Sequence, residues 1–144
     1  MCYFIMLMVT FCDQLIKALI RSNFLLYQSI PLVSDVFHLT YVQNTGAGFG
    51  ILAGRQNFFI IIAGLIITGL LIYKYQAADN RLLDLALGLI IGGALGNVID
   101  RIFLGYVVDY LDFRIWPVFN LADAMIVIGS GIFIFYFWKV EQSA

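Results

Sequence analysis

Long apolar runs alternate with polar stretches at a spacing that predicts four membrane-spanning helices. The runs are Met1–Ile20, Phe58–Tyr75, Leu82–Ile99 and Leu121–Trp138, close to the roughly 20 residues a helix needs to cross the hydrocarbon. Hydrocarbon offers a backbone no hydrogen-bond partner, so each run is expected as a helix that bonds its own N–H and C=O groups. The second, FFIIIAGLIITGLLIY, carries no charge. The third holds Gly88, Gly92, Gly93 and Gly96, small residues that let helices approach closely. Its Gly92-x-x-x-Gly96 spacing is read as packing within a bundle ahead of a dimer seam. Four crossings return both ends to one side and place the two longer connections together on the other.

The connections differ in kind. Lys74–Arg81 is a short turn broken at Asp79-Asn80. Arg21–Asn57 is long, and long connections in compact domains are often functional. Its middle contains Pro31 and the half-alternating VFHLTYV, which reads as a short strand or surface-lying segment. QNTGAGFGIL (43–52) is glycine-rich but has no GxxxxGK[ST] pattern and follows no βα unit, so a phosphate loop is not expected. Glycines there let backbone approach an extended substrate, and Asn44 offers both a donor and an acceptor; a simple turn is the competing reading. The fold class is an all-α membrane protein of one domain, 1–144, with four transmembrane helices and a small extended or β segment in the first long connection.

Composition narrows the function. The chain is 62% hydrophobic and 12% charged, with a mean hydropathy of +0.96, so lipid must solvate most of its surface. A net charge of −1 leaves no footprint for nucleic acid. Cys2 and Cys12 suggest neither a disulfide framework nor a redox motif. A lone histidine without CxxC or HExxH argues against a zinc enzyme, and no metal or cofactor is expected. The first run has no basic lead and carries Asp13 and Lys17 within its pattern; it is read as a retained helix rather than a cleaved leader, reaching spanning length only when counted from Met1. Lys74, Arg81 and Lys139 lie on the terminal side, against Arg21, Arg55, Arg101 and Arg114 on the other, so the positive-inside rule does not set the orientation.

Against that background the stretch from Asn97 to Asp123 stands out. It holds Asp100, Asp109, Asp112 and Asp123, four of the nine acidic residues, with Arg101 and Arg114. Carboxylates at a bilayer edge are costly and read as functional by default. Two carboxyl groups brought close share a proton, one held high and the other low. Such a pair can activate water against a carbonyl without metal or covalent intermediate. Asp123 opens the last helix and needs a partner from the preceding stretch. Asp100 reads as a structural acid beside Arg101, and Asp112 as a solvated charge near Arg114. Asp109, behind Val107-Val108, is favoured because partial desolvation would raise its pKa, but the choice stays open. Asn120 is placed to cap the last helix with Asp123 in its first turn. Asp13 and Lys17, spaced i,i+4, read as a neutralising brace, with Lys17 able to snorkel toward the interface.

DQLIK, NTGAGF, GGALGNVIDR, VVDYLDF and FNLADA, in that order between Asp13 and Ala124, resemble the motif series of the lipoprotein signal peptidase (signal peptidase II) family. The resemblance implies an aspartic endopeptidase of the bacterial inner membrane. Its partners would be membrane lipid and the signal peptides of prolipoproteins bearing a diacylglyceryl cysteine, cut on the amino side of that cysteine. The implied dyad is Asp109 and Asp123. Asn97, Asp100 and Arg101 carry over as supporting and substrate-contacting groups, Asn44, Gly46, Asn120 and Ala122 as residues at the site, and Asp13 and Lys17 as the first-helix pair. The site would lie near the outer leaflet, with both termini cytoplasmic. The alternatives are a small transporter or channel with an aspartate proton relay, and a non-catalytic bundle braced by Asp–Arg pairs. A presenilin-type protease lacks its GxGD signature here.

Overall fold

The four apolar runs do become helices, each extended by polar residues that continue its hydrogen-bonded turns. In the computed structural model, which describes residues 1–46 and 54–142, α1 spans Cys2–Asn23, α2 Gln56–Gln76, α3 Arg81–Phe103 and α4 Leu121–Glu141. All four are long and apolar enough to cross a membrane, and the chain is an integral membrane protein. Asn80, at the predicted break, caps α3 by accepting from Leu82 N (2.9 Å) and Leu83 N (3.1 Å), which satisfies two N–H groups a helix start leaves free.

The helices are not equivalent. Two-thirds of the α3 span (67%) is buried against its neighbours, whereas along α2 only Ile67 and Lys74 are buried among the described residues. Glycine decides this. A methyl group at Gly92 would lie 2.7 Å from the Met6 carbonyl oxygen of α1, and one at Gly129 of α4 2.9 Å from the Ala86 oxygen of α3. The Gly92/Gly96 spacing therefore serves packing inside the bundle. Cys2, Ile67, Leu83, Leu87 and Ile91 form the buried centre of one half. On the turn side, Lys74 binds Asp84 (2.9 Å) and Asp79 (3.1 Å), tying α2 to α3.

The two longer connections build a three-stranded antiparallel sheet, order β1-β2-β3: β1 is Ser29–Val33, β2 Phe37–Asn44 and β3 Val107–Asp112. The expected strand falls within β2, and Pro31 sits in β1, an edge strand, where a missing N–H costs least. The sheet is larger than the sequence suggested. It gains β3 from the connection between α3 and α4, whose VVDYLD reads as no regular alternation. The period of two still operates: Val108 and Tyr110 point into a core with Ile20 of α1 and Tyr41 of β2, leaving Asp109 to the opposite face. A register shift between Leu39 and Val42 puts Val42 across from Asp109 and Asn44 across from Val107.

Candidate active site

Asp123 is placed by the start of α4. Asn120 is the cap: its Oδ1 accepts from Asp123 N (2.9 Å), and the Asp123 carboxylate accepts in return from Asn120 N (3.3 Å). This reciprocal pair is a capping box. The remaining early N–H groups of α4 are met from outside the helix. Leu121 N donates to the Tyr110 hydroxyl (3.2 Å) and Ala122 N to Asp13 Oδ1 (3.0 Å). The helix start is thus bound to β3 and α1 at once.

Asp109 reaches the same place from β3. Its Oδ1 accepts from Asn120 Nδ2 (2.7 Å) and its Oδ2 from Asn44 Nδ2 (2.9 Å). Asn97 Nδ2 donates to Asp123 Oδ1 (2.7 Å). Both carboxyl groups line a cavity of about 310 Å³ together with Asn44, Gly46, Asn97 and Arg101. Trp116, Pro117 and Val118 complete its wall. They belong to a loop held shut at its neck by pairing of Leu111 with Phe119 and by the stacked rings of Phe113 and Phe119. Arg101 donates to Gly46 O (3.1 Å) and lies over the Phe59 ring, 5.0 Å from its centre, so it fastens the NTG segment and α2 to the site. The remainder of the glycine-rich stretch, 47–53, lies outside the described residues.

The sequence candidates separate into two tiers. Asn44, Gly46, Asn97, Arg101, Asp109 and Asp123 face the cavity. Asp13, Lys17, Asp100, Asn120 and Ala122 lie behind it, all but inaccessible to solvent. Three expectations are corrected. Asp100 does not pair with Arg101; its oxygens take Lys17 Nζ (3.0 Å), Gln14 Nε2 (2.9 Å) and Val108 N (2.9 Å). A residue beside it in a helix points some 100° away, whereas α1 packs directly against it. Asp112 is not a solvated charge. It is buried, and it accepts from the Thr40 hydroxyl (2.7 Å) as well as from Arg114 (3.2 Å). Lys17 does not snorkel: at 2% exposure it binds Asp13 (2.8 Å), Asp100 (3.0 Å) and Asn97 Oδ1 (2.9 Å), because three acceptors inside outweigh the interface. Gln14 and Tyr110 were missed. The signal for Gln14 is one more polar residue beside Asp13 in an apolar run, and for Tyr110 a hydroxyl that burial obliges to find a partner.

The electrostatics are asymmetric. Asp109 is 1% exposed. Burial first, and then the Asp123 carboxylate beside it, push its pKa up to about 7, against the opposing pull of the Asn44 and Asn120 amides and of Lys17. At neutral pH it holds its proton for much of the time. One carboxyl able to donate, a neighbour able to accept, and a polar cavity that both line are the groups that acid–base chemistry requires.

Comparison with known proteins bears on the chain as a whole. A family model described as signal peptidase (SPase) II matches residues 5–139. The chain is 56% identical over 142 residues to the lipoprotein signal peptidase of Halothermothrix orenii, covering 99% of this chain and 98% of that one. It is 53% identical over 124 residues to that of Moorella thermoacetica, covering 85% and 83%. Two solved structures described as bacterial membrane enzymes are similar throughout. One has a TM-score of 0.92 at 33% identity over 99% of this chain and 90% of that chain; the other has 0.87 at 34% over 96% and 92%.

Proposed function

The chain belongs to the signal peptidase II family, and from that premise we propose that it is an aspartic endopeptidase of the bacterial inner membrane. It removes signal peptides from prolipoproteins whose cysteine bears a diacylglyceryl group, cutting on the amino side of that cysteine. Its site lies near the outer leaflet. One observation carries the reading: Asn120 touches both carboxyl groups, through Nδ2 to Asp109 (2.7 Å) and through its backbone N–H to Asp123 (3.3 Å). The two acids are thereby held at one cavity.

The chemistry follows from that arrangement. Asp123, ionised, takes a proton from a water as the water oxygen bonds to the scissile carbonyl carbon. Asp109, protonated, gives its proton to the carbonyl oxygen. The tetrahedral diol then collapses: the carbon–nitrogen bond breaks, Asp123 passes its proton to the cysteine amine, and Asp109 recovers a proton from a diol hydroxyl. Both acids return to their starting states.

The lipid half of the substrate has a place as well. An apolar groove of about 570 Å³, lined by Phe113, Ile115, Trp116, Val127 and Ile128, meets the polar cavity at Asp123. It leaves the site along the lipid-facing side of α4. A bond held at headgroup depth by an acyl anchor would lie across the junction.

Cleavage of a diacylglyceryl-modified precursor by purified enzyme in lipid is the test. Asp109→Asn and Asp123→Asn are each expected to lower the rate by about a thousandfold while leaving thermal stability within the folded range. Near-normal cleavage by either variant would remove that residue from the chemistry. Proton flux without cleavage would favour a transporter.

A further inference from the structure

The i,i+4 spacing makes Lys17 half of a brace with Asp13, but its contacts lead on to both acids. We propose that Lys17 is the positioning residue of the Asp109–Asp123 pair, setting both their spacing and the direction of the hydrogen bonds they receive. The inference rests on the proposed aspartic mechanism and assigns a task that mechanism leaves open.

Spacing comes from two matched links. The residue before each acid donates its backbone N–H to a different buried aspartate: Val108 N to Asp100 Oδ2 (2.9 Å) and Ala122 N to Asp13 Oδ1 (3.0 Å). Those two aspartates share the Lys17 ammonium, at 3.0 and 2.8 Å. Strand β3 and helix α4 follow one another in the chain, and one ammonium joins the two carboxylates that hold them. Without it, Asp13 and Asp100 would face each other as like charges with no cation between them, and the two elements they hold would move apart.

Direction comes from the third proton. Lys17 Nζ donates to Asn97 Oδ1 (2.9 Å), which also accepts from Asn120 Nδ2 (3.1 Å). An ammonium has donors only. The Asn97 amide therefore cannot turn its NH₂ toward Lys17 and must present it to Asp123 Oδ1, at 2.7 Å. Asn120, its own oxygen held by Asp123 N, likewise presents Nδ2 to Asp109 Oδ1. Lys17 thus fixes which way round the Asn97 amide lies, and the Asn97 oxygen it orients also receives the Asn120 amide. The charged and titratable groups around the pair are Asp13 and Lys17 of α1, Asp100 and Arg101 of α3, and Tyr110 of β3. Among the described residues, Lys17 is the cation that donates to a side-chain amide of this network, whereas Arg101 meets the backbone oxygen of Asn97.

A structural brace and a positioning residue predict different results for two variants, Lys17→Met and Lys17→Met with Asp100→Asn. The double variant returns the buried cluster to its native net charge and keeps an oxygen that can accept from Val108 N. If Lys17 positions the acids, the single variant loses about a hundredfold in kcat on the lipidated precursor with KM changed less than about threefold. The high-pH limb of its rate profile moves up, because a cation that opposed protonation of Asp109 has gone. The double variant regains heat stability but not kcat. If the single variant does not fold, the double variant read against Asp100→Asn alone decides: kcat equal in the two would overturn the proposal. Recovery of near-native kcat in the double variant, or activity lost only in proportion to folded protein with the pH limb unmoved, would overturn the proposal. Asp109→Asn, run alongside, separates this failure from failure of the aspartic reading itself: full cleavage by that control would count against the mechanism, not against Lys17.

Discussion

At the scale of single residues, the site depends on how each carboxyl is hydrogen-bonded rather than on how many acids there are. Asp100, Asp109 and Asp112 are all buried, yet their surroundings differ. Asp100 receives an ammonium, an amide and a backbone N–H, Asp112 a hydroxyl and an arginine, and Asp109 two neutral amides. Without a cation in contact, the burial of Asp109 is not offset, and its pKa rises to about 7. A carboxyl raised in the folded state binds a proton there that the unfolded chain releases at its ordinary value. It therefore lowers stability progressively as pH climbs from about 4 to about 7, and by a constant amount above that. Asp109→Asn should accordingly gain heat stability relative to the native chain at pH 8 but not at pH 4, measured by thermal melting in lipid or detergent. Cleavage by the native enzyme should decline as pH rises through about 7, where the proton donor is lost; a rate still climbing at pH 9 would assign the proton to another group.

At the scale of elements, two joints matter: the cap of α4 and the contact between α3 and α4. Asn120→Ala removes the cap and leaves Asp109 with one amide fewer, which should cost about 2 kcal/mol of stability, read as a lowered melting temperature, together with most of the activity. Gly93 packs against the Ala122 carbonyl oxygen, one residue before Asp123, whereas a methyl group at Gly64 of α2 would meet nothing within 4 Å among the described residues. Gly93→Ala should therefore depress both melting temperature and cleavage, and Gly64→Ala neither. Equal tolerance of both would mean that α3–α4 packing does not position Asp123. The helices were legible in the sequence because lipid requires about 20 apolar residues in a row, a long and repetitive signal. Strand β3 was not. Both of its faces are covered, one by the core around Tyr41 and Ile20 and the other by the site, so the polar–apolar alternation that marks a half-exposed strand is absent.

At the scale of the whole molecule, four crossings put the sheet and the cavity at one pole and the Lys74–Asp84 pair at the other. Charge counting could not orient this arrangement, because Arg101 is engaged inside the site and is no measure of loop charge. The proposed outer-leaflet site makes a simple prediction. Cysteine placed at Ser29 of β1 should react with a membrane-impermeant maleimide from outside intact cells, while cysteine at Asp79 should react only after the membrane is opened. The reverse pattern would invert the topology and put the site on the cytoplasmic face.

The sequence alone determined that this is a four-span membrane protein, that four of its nine acids gather in one connection, and which motif series it resembles. Those properties are local in the chain: run length, composition and short spacings. The tertiary structure alone decided that Lys17 sits with Asp100, that Val108 and Ala122 are held by two aspartates from different helices, and that Asn120 touches both acids. Those contacts join residues as many as 109 positions apart. Their partners are chosen by how closely glycine lets the helices pack, and that closeness depends on several helices fitting together at once.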